Sequence, residues 1–185
     1  MSNQTDFYVA QLNARLMPVD RGATFEDPLD EALKRFGIGG TAGAGTALYE
    51  SGEVKHSDIE IEIAKGHPDA APTIIRVLES LGAPKGSKLR IDGNEIPFGQ
   101  TEGLALYLNG SDLPDEVYQT SDVNYVYDEL NRLVDGEGMV FSYWQGPTET
   151  ALYLYGTSFE SMKAKIAPLI DTYPLCQKCR IVQIA

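Results

Sequence analysis

The feature that most constrains what this chain can fold into is an order of hydrophobic periodicities that occurs twice. In the first half, FYVAQLNARLM alternates apolar and polar residues as a strand does. DPLDEALKRFG then reads as a helix, with Asp27 as N-cap, Pro28 at the first helical position, and Leu29, Ala32, Leu33 and Phe36 on one face. Gly37 is its C-terminal stop. GTALYES and DIEIEIA follow as strands joined by GEVKHS; DAAPTIIRVLESLG is a helix running from a cap at Asp69 to a stop at Gly82, and KLRID is a short strand. The order is βαββαβ.

The second half repeats it. GLALYLNG is a strand, and SDVNYVYDELNRLVDG is a helix capped by Ser121 and lined by Val123, Val126, Tyr127, Leu130, Leu133 and Val134. MVFSYWQ and TALYLYG form a hairpin around Gly146 and Pro147. SFESMKAKIAPLIDTYP starts from a cap at Ser158, carries Met162, Ile166, Leu169 and Ile170, and should kink near Pro168; CRIVQIA closes the sheet. Each copy takes about 85 residues, the length of a small repeated α+β unit.

This order resembles the ferredoxin-like fold. The resemblance is one of topology and implies two tandem α+β units, residues 1–97 and 98–185, each an antiparallel four-stranded sheet with both helices on one face. The free faces then need covering, by the other half or by another chain, so a homodimer is among the expected partners. GNEIPFGQTE is the short linker between the halves. The fold hosts enzymes, regulators and binding modules alike, so function must come from particular residues.

RFGIGGTAGAGTALYESG is rich in glycine without being a phosphate loop. Gly37, Gly39 and Ala42 fit a G-x-G-x-x-A spacing, but Thr46 stands where a P-loop needs lysine, and the run leads from a helix into a strand, the reverse of both nucleotide motifs. If the strand already runs at residue 41, Thr41, Gly43, Gly45 and Ala47 share one face, a track almost free of side chains. An edge strand approached closely by another part of the protein is the first account; a ligand lying over the track is the second. DIEIEIA places Asp58, Glu60 and Glu62 on one side, roughly 6.6 to 7 Å apart along the strand. That spacing admits paired-carboxylate chemistry. Arg15 and Arg90 have the parity to reach the same face, where opposite charges make structural cross-strand pairs. Gly43, Gly45, Arg15, Glu60 and Glu62 are therefore the candidate ligand surface.

Chemistry-bearing motifs are otherwise scarce. His56 and His67 are separated by about 36 Å of extended chain. The pair Cys176 and Cys179 precedes a strand instead of opening a helix, and two thiolates supply half of a zinc shell. No metal, cofactor or catalytic residue is expected, and both cysteines read as ordinary thiols, with a disulfide or a metal bridge between chains as the alternative. No run approaches the roughly 18 apolar residues of a membrane span, and MSNQTDFYVAQLNARLM lacks the parts of a secretory signal, so a cytoplasmic setting is expected.

Charge points to a partner class. The formal net charge is −12 over 185 residues, which opposes nucleic acid and anionic lipid and attracts a basic protein. From Ile91 to Met162 there are thirteen acidic residues and a single basic one, Arg132, together with seven of the ten tyrosines and the only tryptophan. Rigid aromatic rings with surrounding carboxylates suit capture of a cationic partner. Phe141 and Tyr143 fall on one side of their strand and Tyr153 and Tyr155 on one side of theirs, so the four can share a face. NGSDLPDEVYQTSD, residues 109–122, adds Asp112, Asp115, Glu116, Tyr118 and Asp122 on what reads as a long loop. The expected function is a non-enzymatic acidic binding module, such as an immunity protein or inhibitor that neutralises a basic, nuclease-like toxin by mimicking nucleic-acid charge. The alternatives are a regulatory module binding a small molecule between the halves, and a hydrolase using Glu60 and Glu62. The tyrosines can equally serve only to cover the free sheet face, with the acids keeping the surface soluble.

Overall fold

A computed structural model describes residues 5–185. The chain divides into a first unit, comprising residues up to Glu50 and Val54–Gln100, and a second, comprising Thr101–Ala185 together with Ser51–Glu53.

The first unit contains β1 (Thr5–Leu12), α1 (Pro18–Arg21), a π-helical turn (Gly22–Glu26), α2 (Asp27–Arg35), β2 (Gly39–Leu48), β3 (Val54–Ala64), α3 (Ala70–Ser80), β4 (Ser87–Ile91) and β5 (Asn94–Phe98). Its sheet has the order β2-β3-β1-β4-β5 with every neighbour antiparallel. The first four positions are the ferredoxin-like arrangement, and β5 extends it by one. GNEIPFGQTE is thus a fifth strand rather than a linker, turned back by Asp92 and Gly93, both with positive φ. The helical path also starts earlier than Asp27. Pro18 at its first position and Asp20 in its first turn are the start signals, and the helix N-terminal residue Glu26 has helical dihedrals, which leaves Asp27 no capping role.

Helices α2 and α3 end by the same device. Ile38 N–H bonds the Leu33 carbonyl and Gly37 N–H that of Lys34; Ala83 and Gly82 repeat the pattern on Leu78 and Glu79. These are Schellman motifs, and Gly37 and Gly82 sit at the left-handed position such a motif requires, with φ of +66° and +90°. The isoleucines of β3 form the buried face, with Ile59, Ile61 and Ile63 at 1% exposure or less. Leu29 and Leu33 of α2 and Ile74 and Leu78 of α3 are buried too.

The second unit contains β6 (Glu102–Asn109), α4 (Asp115–Thr120), α5 (Val123–Leu133), β7 (Gly138–Gln145), β8 (Glu149–Gly156), α6 (Phe159–Thr172), a 3-10 turn (Pro174–Cys176) and β9 (Arg180–Gln183). Its order is β7-β8-β6-β9, again antiparallel throughout. The fold class is therefore α+β, two tandem ferredoxin-like βαββαβ units. Leu104, Leu106 and Leu108 of β6 and Leu152 and Leu154 of β8 form one core cluster with Val126 and Leu130 of α5 and Met162, Ile166 and Leu169 of α6. Ser158 caps α6 as expected, accepting from Ser161 N–H. The α5 cap is Asp122 rather than Ser121; its carboxylate accepts from Asn124 N–H at 2.8 Å. Pro168 lies inside α6 and the helix continues through it to Thr172.

The glycine-rich strand β2 is an edge strand, as the first account had it. A register shift between Thr41 and Gly43 breaks the expected single row: Thr41 pairs with Ile61, whereas Gly43, Gly45 and Ala47 pair with Glu60, Asp58 and His56. The closest approach is at Gly39, where a Cβ would stand 2.0 Å from the Glu62 carbonyl oxygen. Gly45 is different, since its nearest neighbour would be the Asp58 Cβ at 4.0 Å. Gly39→Ala should therefore force β2 off β3 and cost about 1–3 kcal/mol in denaturant unfolding. Gly45→Ala should be neutral or stabilising by up to about 1 kcal/mol, through the unfolded chain. Equal losses in the two variants would contradict the close-approach account.

Candidate functional site

The acidic segment of the second unit is built on a short, locally locked scaffold. Residues 109–122, expected as a loop, contain α4. Asn109 Oδ1 accepts from the backbone of Ser111 and Asp112, at 3.0 and 2.7 Å, forming the turn that leaves β6. Tyr118 is half-buried, and its hydroxyl accepts from Leu113 N–H at 3.0 Å and reaches the Asn109 carbonyl at 3.3 Å. Its ring shapes the loop and is not offered to a partner. Asp122 likewise spends its carboxylate on the α5 cap, although it remains exposed.

Asp112, Asp115 and Glu116 are exposed, and none of the three forms an ion pair among the described residues. Thr101–Ala185 holds twelve acidic against five basic side chains. Those five are occupied: Arg132 pairs with Glu129 at 2.6 Å, Lys165 with Glu137 at 3.2 Å and Arg180 with Glu149 at 2.9 Å. Lys163 lies over the Phe159 ring, and Lys178 donates to the Asp112 carbonyl. The hydrogen bonds from Arg132 and Arg180 hold the Glu129 and Glu149 carboxyls below the usual range, and for Glu137 the larger cause is the Ser161 hydroxyl, followed by Lys165. The remaining acids therefore carry an excess negative field that no cation of this unit neutralises by pairing.

The tyrosines divide into two groups. Tyr107, Tyr153 and Tyr155 lie on the sheet face opposite the leucine core and are sealed, with exposures of 4%, 0% and 1%. Within this unit the hydroxyls of Tyr107 and Tyr153 both donate to Glu53 Oε1, at 2.5 and 2.7 Å. Arg180 stacks over the Tyr107 ring at 3.5 Å, and Phe141 lies against Tyr155, ring centroids 5.2 Å apart. Tyr143 does not join them. A register shift between Val140 and Ser142 pairs Tyr143 with Leu152, which turns it to the helix-bearing side, where it is 51% exposed. Tyr153 and Tyr155 are thus unavailable to a partner in this structure, while Tyr143 is available on another face.

Two exposed α5 residues were placed wrongly by the helical pattern. Tyr127 and Val123 of α5 were expected in the core stripe, yet both are surface residues; Val126, Leu130 and Val134 carry the stripe. Tyr125 is 49% exposed and packs on Tyr173, ring centroids 4.8 Å apart. The signal was present in YVY, three bulky residues in a row that a 3.6-residue period cannot all turn inward. The exposed acids and rings of this segment are Asp112, Asp115, Glu116 and Asp122, followed on α5 by Tyr125, Tyr127 and Asp128.

On the candidate surface of the first unit, Glu60 and Glu62 are exposed, Asp58 is half-buried, and Gly40, Thr41 and Glu62 line part of a cavity of about 260 Å³. Asp58, Glu60 and Glu62 face Gln11, Val9 and Phe7 on β1 and Gly45, Gly43 and Gly40 on β2. A Cβ at Gly43 would meet Glu60 Oε2 at 2.9 Å, so the glycine makes room for a carboxylate on the next strand. Arg90 pairs with Asp58 at 3.1 Å, the expected structural cross-strand pair. Arg15 lies beyond the end of β1 and stacks over Tyr49 at 5.6 Å. No cluster of three or more metal-ligating side chains occurs among the described residues, and no helix of theirs is long and apolar enough to cross a membrane.

Neither a known protein family nor a curated protein matches this chain. Among solved structures, a candidate monooxygenase from Fusobacterium nucleatum aligns over 99% of this chain and 92% of its own, at 11% identity and a TM-score of 0.33. The regulatory subunit of aspartate kinase from Thermus thermophilus aligns over 89% and 95%, at 12% identity and a TM-score of 0.28. The first two RRM domains of a yeast poly(U) binding protein align over 98% and 99%, at 11% identity and a TM-score of 0.26. Likeness at this level carries nothing about activity.

Cys176 is buried and Cys179 half-buried, both as free thiols. Burial pushes the Cys176 thiol from 9.0 up to about 12, with the Cys179 sulfur adding to it, and burial raises Cys179 too. Neither is an activated thiolate. At pH 8 the folded protein should react with a disulfide reagent far more slowly than the unfolded chain. Because the folded thiol keeps its proton to a higher pH, the stabilisation linked to it is complete below about pH 9 and is lost between about 9 and about 12. Cys176→Ala should flatten the alkaline fall of the melting temperature; an unchanged alkaline limb would contradict this assignment.

Proposed function

We propose that this chain is a non-enzymatic, cytoplasmic acidic binding module whose second unit captures a basic protein through the surface running from Asp112 through α4 onto α5. One observation carries the reading. Asp112, Asp115 and Glu116 are exposed on a locked turn and helix and form no ion pair among the described residues, with Lys178 held on the Asp112 backbone carbonyl, and α5 adds the exposed rings Tyr125 and Tyr127. Carboxylates arranged in this way speed association with a cationic partner, and neighbouring rings supply area that becomes buried on docking. Neutralising a basic, nuclease-like toxin is a role that such a surface suits. Tyr118 and Asp122 contribute by holding the scaffold; Tyr153 and Tyr155 have no part in contact.

The test is capture from the native cell at low salt, elution by a salt gradient, and affinity measurement with the purified protein that elutes. A basic partner is expected, and the combined variant Asp112→Asn, Asp115→Asn, Glu116→Gln should bind it about ten- to a hundredfold more weakly with a shallower salt dependence. An acidic partner, or one bound equally well by the variant at every ionic strength, would overturn the proposal.

A further inference from the structure

The helical side of the first unit carries a groove of about 250 Å³ lined by Phe36, Ile38, Thr73, Arg76 and Val77. Its shape follows from two local causes. The Schellman motif ending α2 turns Ile38 inward to 8% exposure and leaves Phe36 at the helix end, 52% exposed. On α3, Thr73, Arg76 and Val77 occupy positions i, i+3 and i+4, one stripe of the helix, so a methyl-bearing wall and a guanidinium face the same groove.

The charge here runs against that of the chain. Arg76 is exposed and forms no hydrogen bond or ion pair among the described residues, and Arg35 stacks over the Phe36 ring at 5.5 Å without a carboxylate partner. In a protein of net charge −12, two arginines left without acids beside an open apolar groove are a local exception. The C-terminal end of α2 by itself disfavours an anion, and Arg35 in its last turn offsets part of that, Lys34 being paired with Asp30 at 2.6 Å. The volume exceeds the roughly 150 Å³ that holds a benzene ring and falls below the roughly 300 Å³ of ordinary ligand pockets, so the occupant is small.

We infer that this groove binds a small free monocarboxylate with an aliphatic or aromatic body, the apolar part lying against Phe36, Ile38 and Val77 and the carboxylate reaching Arg76, with Thr73 Oγ1 as a second donor. The inference is independent of the acidic surface on the other unit. Guanidinium offers two parallel donors to a carboxylate, and the neighbouring apolar wall selects chain length.

The experiment is an amide-shift NMR titration of the whole chain with butanoate, hexanoate and octanoate, and with octylammonium as the charge control. Saturable shifts at Phe36, Ile38, Thr73, Arg76 and Val77 are expected with the carboxylates, tightening about three- to fourfold per added methylene until the groove is filled. Arg76→Gln, at an exposed position that the fold does not need, should weaken octanoate about tenfold or more. Three results would overturn the inference: no saturable shift at these residues, octylammonium binding as well as octanoate, or an Arg76→Gln variant that binds unchanged.

Discussion

Each sheet in this protein carries its helices on one face only, and the remaining structure depends on what that imposes on the opposite face. In the second unit the helix side takes the leucines of β6 and β8, and period-two alternation then sends Tyr107, Tyr153 and Tyr155 to the other side. Those rings are sealed, and sealing a phenol requires a partner for its hydroxyl, which the Glu53 carboxylate provides to two of them. The tyrosines that looked most like a binding face are in this way committed to structure. The proposed recognition therefore falls to what stands outside the sheet, the turn after β6 and the helices α4 and α5.

The first unit solves the same problem with charge. Its second sheet face alternates acids on β3 with bases on β4, and β2 gives up side chains at Gly43 so that Glu60 has room. Arg90 on Asp58 is the pair that ties the face together. On the edge, buried Arg21 pairs with Glu26 and donates to the Gly45 carbonyl and the Thr46 hydroxyl, which anchors β2 to the π-helical turn. Gly39 thus records the close approach of β2 to β3 and Gly43 makes room for Glu60, whereas Gly45 meets no such neighbour.

How much of this was legible in the sequence depended on range. Strand alternation, the stops at Gly37 and Gly82 and the cap at Ser158 are local signals, and both βαββαβ orders followed from them. Bulges are not local: the shifts at Thr41/Gly43 and Val140/Ser142 depend on the partner strand, and each moved a predicted face by one residue, separating Tyr143 from Tyr153. β5 was hidden because NEIPF contains a proline, which is tolerated there because β5 is an edge strand. The acids at 112, 115 and 116 were readable as charge. That they would form no ion pair was not readable, since it depends on Arg132, Lys165 and Arg180 being paired elsewhere and on Lys178 bonding a backbone carbonyl.

The most direct measurement of the central claim is hydrogen–deuterium exchange of the protein alone and with its captured partner. The account predicts new protection concentrated in residues 109–128, with the β6 and β8 peptides unchanged because they are already buried. Protection confined to β2 and β3, residues 39–64, would contradict it and would move recognition to the first unit.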